Sequence, residues 1–239
     1  IALLGIWSTF AINAISFAGV LTVLIRWQRD TTETSRGRSF FSSMRQGIRY
    51  VALKRTMRHV MLGVVLFVLP GSALWSLMPL YAKTALGWGA QGFGILVAMI
   101  GVGAVVGASM LPRVRSRLGS DRTIAAAMTL YAIGMLTLSS EPAWPILLAA
   151  TLLMGCGWMA TLTTLNATAQ ITLPSRLRAR GMGCYLTMMA GSMSLGSFVW
   201  GQTAGAIGMS GAMLASGIAM VATAMISLLF PLAATLDDA

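Results

Sequence analysis

The sequence predicts an all-α, multi-pass membrane protein with about seven transmembrane helices. Two observations predict it. The 239 residues are 56% hydrophobic and only 10% charged, whereas soluble domains carry about 25% charged residues. The basic residues also gather in alternate connections between long apolar stretches, which is how cytoplasmic loops are marked. Each stretch is apolar on all sides. An amphipathic stripe, the pattern of a soluble helix, is absent from them.

About 20 apolar residues at about 1.5 Å rise cross a hydrocarbon core of about 30 Å. On that scale span one is Gly5–Ile25, ended by Arg26-Trp27-Gln28-Arg29. Spans two to four are Val60–Ala82, Gly92–Leu111 and Thr123–Ser139. Glu141-Pro142 breaks the chain before span five, Pro145–Ala169. The charge-free run Gly181–Leu236 is too long for one helix and fits two. Its turn is expected within Gly205–Gly211, rich in Gly and Ser, because helix breakers mark turns in lipid as in water. Spans six and seven are then Met182–Ala204 and Ala212–Leu232.

Of the 17 Lys and Arg, nine lie between spans one and two, from Arg26 to Arg58. Arg113, Arg115, Arg117 and Arg122 follow span three, and Arg176, Arg178 and Arg180 follow span five. Only Lys83 falls in a connection of the other parity. The basic connections are therefore expected in the cytoplasm, as is the tail with Asp237 and Asp238. The net charge of +11 is explained by cytoplasmic loops beside anionic lipid, without nucleic acid. In the first basic connection Phe40, Phe41, Met44, Ile48 and Val51 share one helical face, with Arg45 and Arg49 off it. That pattern predicts an amphipathic helix at the membrane surface. A linker helix packed under the bundle is expected rather than a regulatory element.

Catalytic chemistry finds no purchase. The chain has one His, His59, and no Asp, Glu, Lys, Arg or His inside any span. No paired carboxylate, metal-ligand cluster or nucleophile–base pair is visible, so no enzyme, no metal and no cofactor is expected. Cys156 and Cys184 lie within spans and read as small apolar residues. Trp7, Trp27, Trp88 and Trp144 read as interfacial belt residues near span ends. Small residues let helices approach closely in lipid. Gly101, Gly103 and Gly107 in span three and Gly191, Gly196 and Gly201 in span six are therefore expected packing positions, and Pro70 and Pro79 possible hinges of span two.

Ordered segments of the chain resemble the transmembrane secretion effector branch of the major facilitator superfamily, which includes enterobactin exporters. They are Phe10-Ala11-Ile12-Asn13-Ala14-Ile15-Ser16-Phe17; Ile48-Arg49-Tyr50-Val51; Gly71-Ser72-Ala73-Leu74-Trp75-Ser76-Leu77-Met78-Pro79-Leu80; Gly92-Phe93-Gly94-Ile95-Leu96; Gly101-Val102-Gly103-Ala104-Val105-Val106-Gly107-Ala108; Leu165-Asn166-Ala167; and Arg178-Ala179-Arg180-Gly181-Met182-Gly183. The segment Leu111–Arg117 departs from the superfamily's loop motif, lacking an Asp before its basic cluster.

The resemblance implies a C-terminal portion of a twelve-helix transporter. Residues 1–27 would be helix VI of the N-terminal half. Residues 28–58 would be the basic cytoplasmic linker, 59–236 the C-terminal six-helix bundle and 237–239 the tail. The N-terminal six-helix half would be missing, and this chain alone would not transport. The implied function is secondary active transport by alternating access, driven by a proton gradient, with export of small amphiphilic solutes such as drugs, siderophores or metabolites. An uptake symporter or a non-transporting scaffold is the alternative. The implied location is the bacterial inner membrane. Proton coupling needs a titratable group at membrane depth, so its carboxylate is expected in the missing half.

By the superfamily's helix roles, the expected cavity residues are Ser72, Trp75, Ser76, Trp158, Thr161, Thr164, Asn166, Tyr185 and Trp200. Met154, Met159, Met188 and Met189 would suit a permissive apolar wall.

Overall fold

A computed structural model describes residues 5–26, 40–84, 86–87, 89–141 and 143–231. Trp27, Trp88, Pro142, most of the predicted linker before Phe40 and the tail with Asp237 and Asp238 lie outside the described residues. Within them the chain is helical, with no strand: α1 (Gly5–Arg26), α2 (Phe40–Leu53), α3 (Arg55–Thr84), α4 (Gly89–Ser139), α5 (Trp144–Thr172) and α6 (Arg178–Ser227). The helices divide into two units, residues 1–40 and 41–239.

In the first unit, α1 is apolar along Phe10–Arg26. Two of its hydroxyls are satisfied internally: Ser16 donates to the Ile12 carbonyl and Thr22 to that of Ala18. A helix in lipid has no water to take up these hydroxyls, so the preceding turn must.

In the second unit, α3, α4, α5 and α6 are each long and apolar enough to cross a membrane. Two of them cross twice. Gly119 (φ 75°, ψ 173°) interrupts α4 and Gly208 (φ 80°, ψ 170°) interrupts α6. That backbone conformation is essentially confined to glycine. Both ends of α4 lie at one end of the bundle: Leu86, just before it, bonds back to Tyr81, and the Leu138 carbonyl accepts from the Tyr81 hydroxyl. Both ends of α6 lie at the other. A Cβ on Gly181 would press on Leu173, and the Pro231 carbonyl accepts from His59 Nδ1 at 3.1 Å. Each glycine therefore reverses the chain, and the unit is a bundle of six antiparallel arms. The turn expected within Gly205–Gly211 falls at Gly208.

The arm boundaries have local causes. Pro145 opens α5, where its missing N–H costs nothing. Leu173 is extended before Pro174, which ends the same helix. Every described Lys and Arg of this unit except Lys83 sits at the His59 end, called here the basic end. There Asp121, beside the Gly119 turn, shares a small pocket with His59 and Phe230. Arg115 donates to Ser120 across that turn at 3.1 Å.

The helix α2 packs at the basic end through Gly47, Tyr50 and Val51, a stripe that shares only Val51 with the predicted face. The Tyr50 hydroxyl donates to the Thr172 carbonyl at 3.1 Å, and a Cβ on Gly47 would come within 2.8 Å of the Arg180 Cβ. Ile48, on the predicted face, is 51% exposed. The side chains of Phe40, Phe41 and Met44 lie outside the described ones.

Candidate functional site

Two features organise the middle of the bundle. The first is a knot of hydrogen bonds on α3. The carbonyls of Leu69, Pro70 and Gly71 each accept from a different arm. Trp200 Nε1 donates to Leu69, Ser216 Oγ to Pro70 and Tyr131 Oη to Gly71, each at 2.8 Å. Successive residues point about 100° apart around a helix, so three neighbouring carbonyls reach three different partners. Pro70 lacks an N–H, so the Leu66 carbonyl one turn back loses its helical donor. Ser72 adds a second bond to the Leu69 carbonyl at 2.8 Å. A Cβ on Gly196 would lie 2.2 Å from Ser72 Oγ and 2.5 Å from the Leu69 carbonyl, so only glycine lets α6 this close.

The second feature is an aromatic cluster between α3, α5 and the second arm of α4. The Trp158 ring lies 5.2 Å from Phe67, 5.6 Å from Trp75 and 6.0 Å from Tyr131, centre to centre, and Phe67 lies 5.5 Å from Tyr131. The Trp75–Trp158 and Phe67–Tyr131 pairs are edge-to-face, the arrangement ring quadrupoles favour. Gly157 makes it possible. A Cβ there would lie 2.5 Å from the Ala127 carbonyl, holding the Tyr131 arm away from α5. Phe67 and Tyr131 are fully buried, whereas Trp75 and Trp158 are only partly so. The cluster therefore opens on its two tryptophans.

Two buried polar atoms nearby have no partner: Trp75 Nε1 in the cluster and Thr161 Oγ1, one turn beyond Trp158 on α5. Thr161 differs from the other threonines of α5, among which Thr163 bonds the Met159 sulfur. Thr151, Thr164, Thr168 and Thr172 each bond the carbonyl one turn back. Thr161 does not, although it is fully buried. It stands three residues from Trp158, on the neighbouring part of that face. A buried unmet donor costs about 1–3 kcal/mol, so a group that supplies the acceptor binds with that cost relieved.

The expected cavity residues divide accordingly. Trp75 and Trp158 come together at the cluster, with Thr161 buried one turn beyond Trp158 and Ser76 half-buried one residue beyond Trp75, bonded to the Ser72 carbonyl. Asn166 lies elsewhere, in an open cleft of about 470 Å³ with Leu162, Thr163, Ala167, Gln170 and Ile171. It pairs there with Gln170. Ser72, Thr164, Tyr185 and Trp200 are buried between helices and stand at no opening among the described residues. Ser72 and Trp200 belong to the Leu69 knot. Of the methionines, Met154 is fully buried, Met159 and Met189 are half-buried and Met188 is 42% exposed. The side-chain signal for Tyr131 was available, a hydroxylated ring in an apolar arm. Phe67 carried none that distinguishes it from a lipid-facing Phe.

The glycines divide as well. Cβ atoms on Gly103 and Gly107 would strike α5 backbone at 2.0 Å (Leu152) and 2.9 Å (Cys156). The Cys156 thiol donates to the Gly103 carbonyl at 3.0 Å across the same crossing. Gly101, Gly191 and Gly201 have nothing within 4 Å. Gly101 is two residues from Gly103, about 200° around the helix, so the two cannot share an interface. Gly191, Gly196 and Gly201 recur every fifth residue, which likewise rotates them apart. The packing expected at Gly101, Gly191 and Gly201 is not found within the bundle.

Of the hinge residues, Pro70 is buried in the Leu69 knot and Pro79 is exposed. Arg113, Arg117, Arg122, Arg176, Arg178 and Arg180 are exposed at the basic end and Arg115 is half-buried there. Among the described residues no group of His, Cys, Asp or Glu is arranged to hold a metal.

Comparison with known proteins gives one match: the family model described as transmembrane secretion effector, over residues 1–239. Neither the curated proteins nor the solved structures gave a match to the chain. With its apolar helices and a family match along its whole length, the chain belongs to the transmembrane secretion effector family of major facilitator superfamily transporters.

Proposed function

We propose that the protein is a proton-driven exporter of small amphiphilic solutes, working by alternating access in a bacterial inner membrane. The observation that carries the substrate class is the Trp75–Trp158 opening with its unpartnered Trp75 Nε1. A flat apolar solute would stack on the partly exposed indoles, and an acceptor oxygen on it would take the proton of Trp75 Nε1. No Lys or Arg stands at this depth, so the site favours neutral or cationic solutes over anions.

One helix, a basic connection and a six-arm bundle support a reading as helix VI, the linker and the C-terminal half of a twelve-helix transporter. A second six-helix half would close the cavity. The open glycines Gly101, Gly191 and Gly201 suit contact with that half, since bare backbone permits close and sliding approach. The basic end faces the cytoplasm on this reading, as the clustering of Arg and Lys there supports. The six arms have no carboxylate at mid-depth, so the coupling carboxylate belongs to the other half.

Flux measured in vesicles carrying the full-length protein tests the reading, with and without an imposed proton gradient, over catecholates and lipophilic cations. Gradient-dependent extrusion is expected. Trp75→Ala should lower it about tenfold or more while the protein stays folded. Absence of gradient-dependent flux for every solute, with folded and correctly oriented protein, overturns the exporter reading.

A further inference from the structure

A cleft of about 450 Å³ lies at the basic end between α2 and the α5–α6 connection. It is lined by Gln46, Arg49, Tyr50, Leu53, Lys54, Pro174, Arg176 and Leu177. Three cations thus converge on it from two separate parts of the chain, Arg49 and Lys54 from the end of α2 and Arg176 from beyond Pro174. None of the three has an ion-pair partner among the described residues. Like charges held together repel one another, so the arrangement is stabilised when an anion enters.

The walls are fixed by independent contacts. The Tyr50 hydroxyl is tied to the Thr172 carbonyl, and Gly47 seats α2 against Arg180. The cleft is therefore a built space between two elements and not a pair of solvated loops. Its surroundings are apolar. Leu53 on the rim is 68% exposed, Ile48 on the same helix 51%, and Ile171 in the last turn of α5 70%. Exposed aliphatic groups beside cations, where membrane helices end, match a molecule with a phosphate head and hydrocarbon chains. A free phosphate has no use for the aliphatic groups.

We propose that this cleft binds the headgroup of an anionic phospholipid, with Arg49, Lys54 and Arg176 on the phosphate and the acyl chains along Leu53, Ile48 and Ile171. Bound lipid bridges α2 to the α5–α6 connection and holds the linker helix against the bundle. This site is separate from the Trp75–Trp158 opening and does not depend on what the protein transports.

Thermal unfolding of the purified full chain in phosphatidylcholine nanodiscs tests it, with phosphatidylglycerol introduced stepwise. Lipid retention in native mass spectrometry gives a second readout. Phosphatidylglycerol should raise the unfolding midpoint and remain bound, and inorganic phosphate at matched concentration should do neither. Arg176→Gln should weaken retention about fivefold, a value expected for one interfacial cation. The R49Q/K54Q/R176Q variant should abolish it. R113Q/R117Q, at the same end but outside the cleft, should leave it unchanged. Equal loss in R113Q/R117Q would show only a diffuse basic surface and overturn the site. An equal response to inorganic phosphate would overturn the lipid assignment. If the triple variant does not fold, undiminished retention in Arg176→Gln together with Arg49→Gln overturns the proposal equally.

Discussion

Pro70 and Pro79 stand nine residues apart on the same helix, and the bundle treats them oppositely. Around Pro70, three arms anchor to three consecutive carbonyls, and Gly196 brings α6 against the helix. Pro79 is exposed, and among the described residues no side chain of another helix bonds the carbonyls near it. Both prolines remove a helical hydrogen bond. The carbonyls so freed lie one turn back, at Leu66 and Trp75, and only around Pro70 do other arms bond the neighbouring carbonyls. A proline is therefore a hinge or an anchor according to what its neighbours supply, and here the inner one is the anchor. On the transport reading proposed above, bending of α3 would belong at its Pro79 end.

The largest test of this contrast is Gly196→Leu. The added side chain must displace α6 from the Leu69 carbonyl, breaking the Trp200 bond as well as the packing. A loss of about 1–3 kcal/mol is expected, read as a lower midpoint in detergent-induced unfolding. An unchanged midpoint would mean that the knot does not hold the arms. Next come Trp200→Phe, Tyr131→Phe and Ser216→Ala, each removing one donor. Interhelical hydrogen bonds in membranes average about 0.6 kcal/mol, with a maximum near 1.7. Because the acceptors are adjacent, the triple variant should lose more or less than the sum of the singles, and a double-mutant cycle measures that coupling. Smallest is Pro79→Ala, expected to leave stability within about 0.5 kcal/mol while slowing transport by stiffening the outer part of α3. Pro70→Ala should do the reverse, costing stability first. Equal stability effects from the two prolines would erase the distinction.

The arms were legible because lipid imposes a one-dimensional code: length, absence of charge, and basic residues on alternate connections. Even the reversal at Gly208 fell inside its expected turn. The candidate site was legible in part. Trp75 and Trp158 stand out as aromatic residues in apolar sequence, and the structure packs them edge to face. Two things were hidden. The acceptors at Leu69, Pro70 and Gly71 are backbone groups, which every residue has, so the sequence does not mark them as shared. The facing of each glycine depends on helical phase, and a count of glycines per span ignores it. Gly101 and Gly103 differ by two positions and face opposite ways. Ser72 and Trp200, polar and central, looked like cavity residues, but their polar atoms are spent on the same carbonyl.

The hydrogen bonds also bear on biosynthesis. Most Ser and Thr hydroxyls in the arms bond the carbonyl three or four residues back, so an arm carries them into lipid already satisfied. Trp200, Tyr131 and Ser216 differ, since their acceptors lie on another arm. In order of synthesis the acceptors at residues 69–71 emerge first and the donors arrive at 131, 200 and 216. Each of these three arms thus finds a waiting berth on α3 as it leaves the insertion machinery, and the bundle assembles around α3 as the chain lengthens.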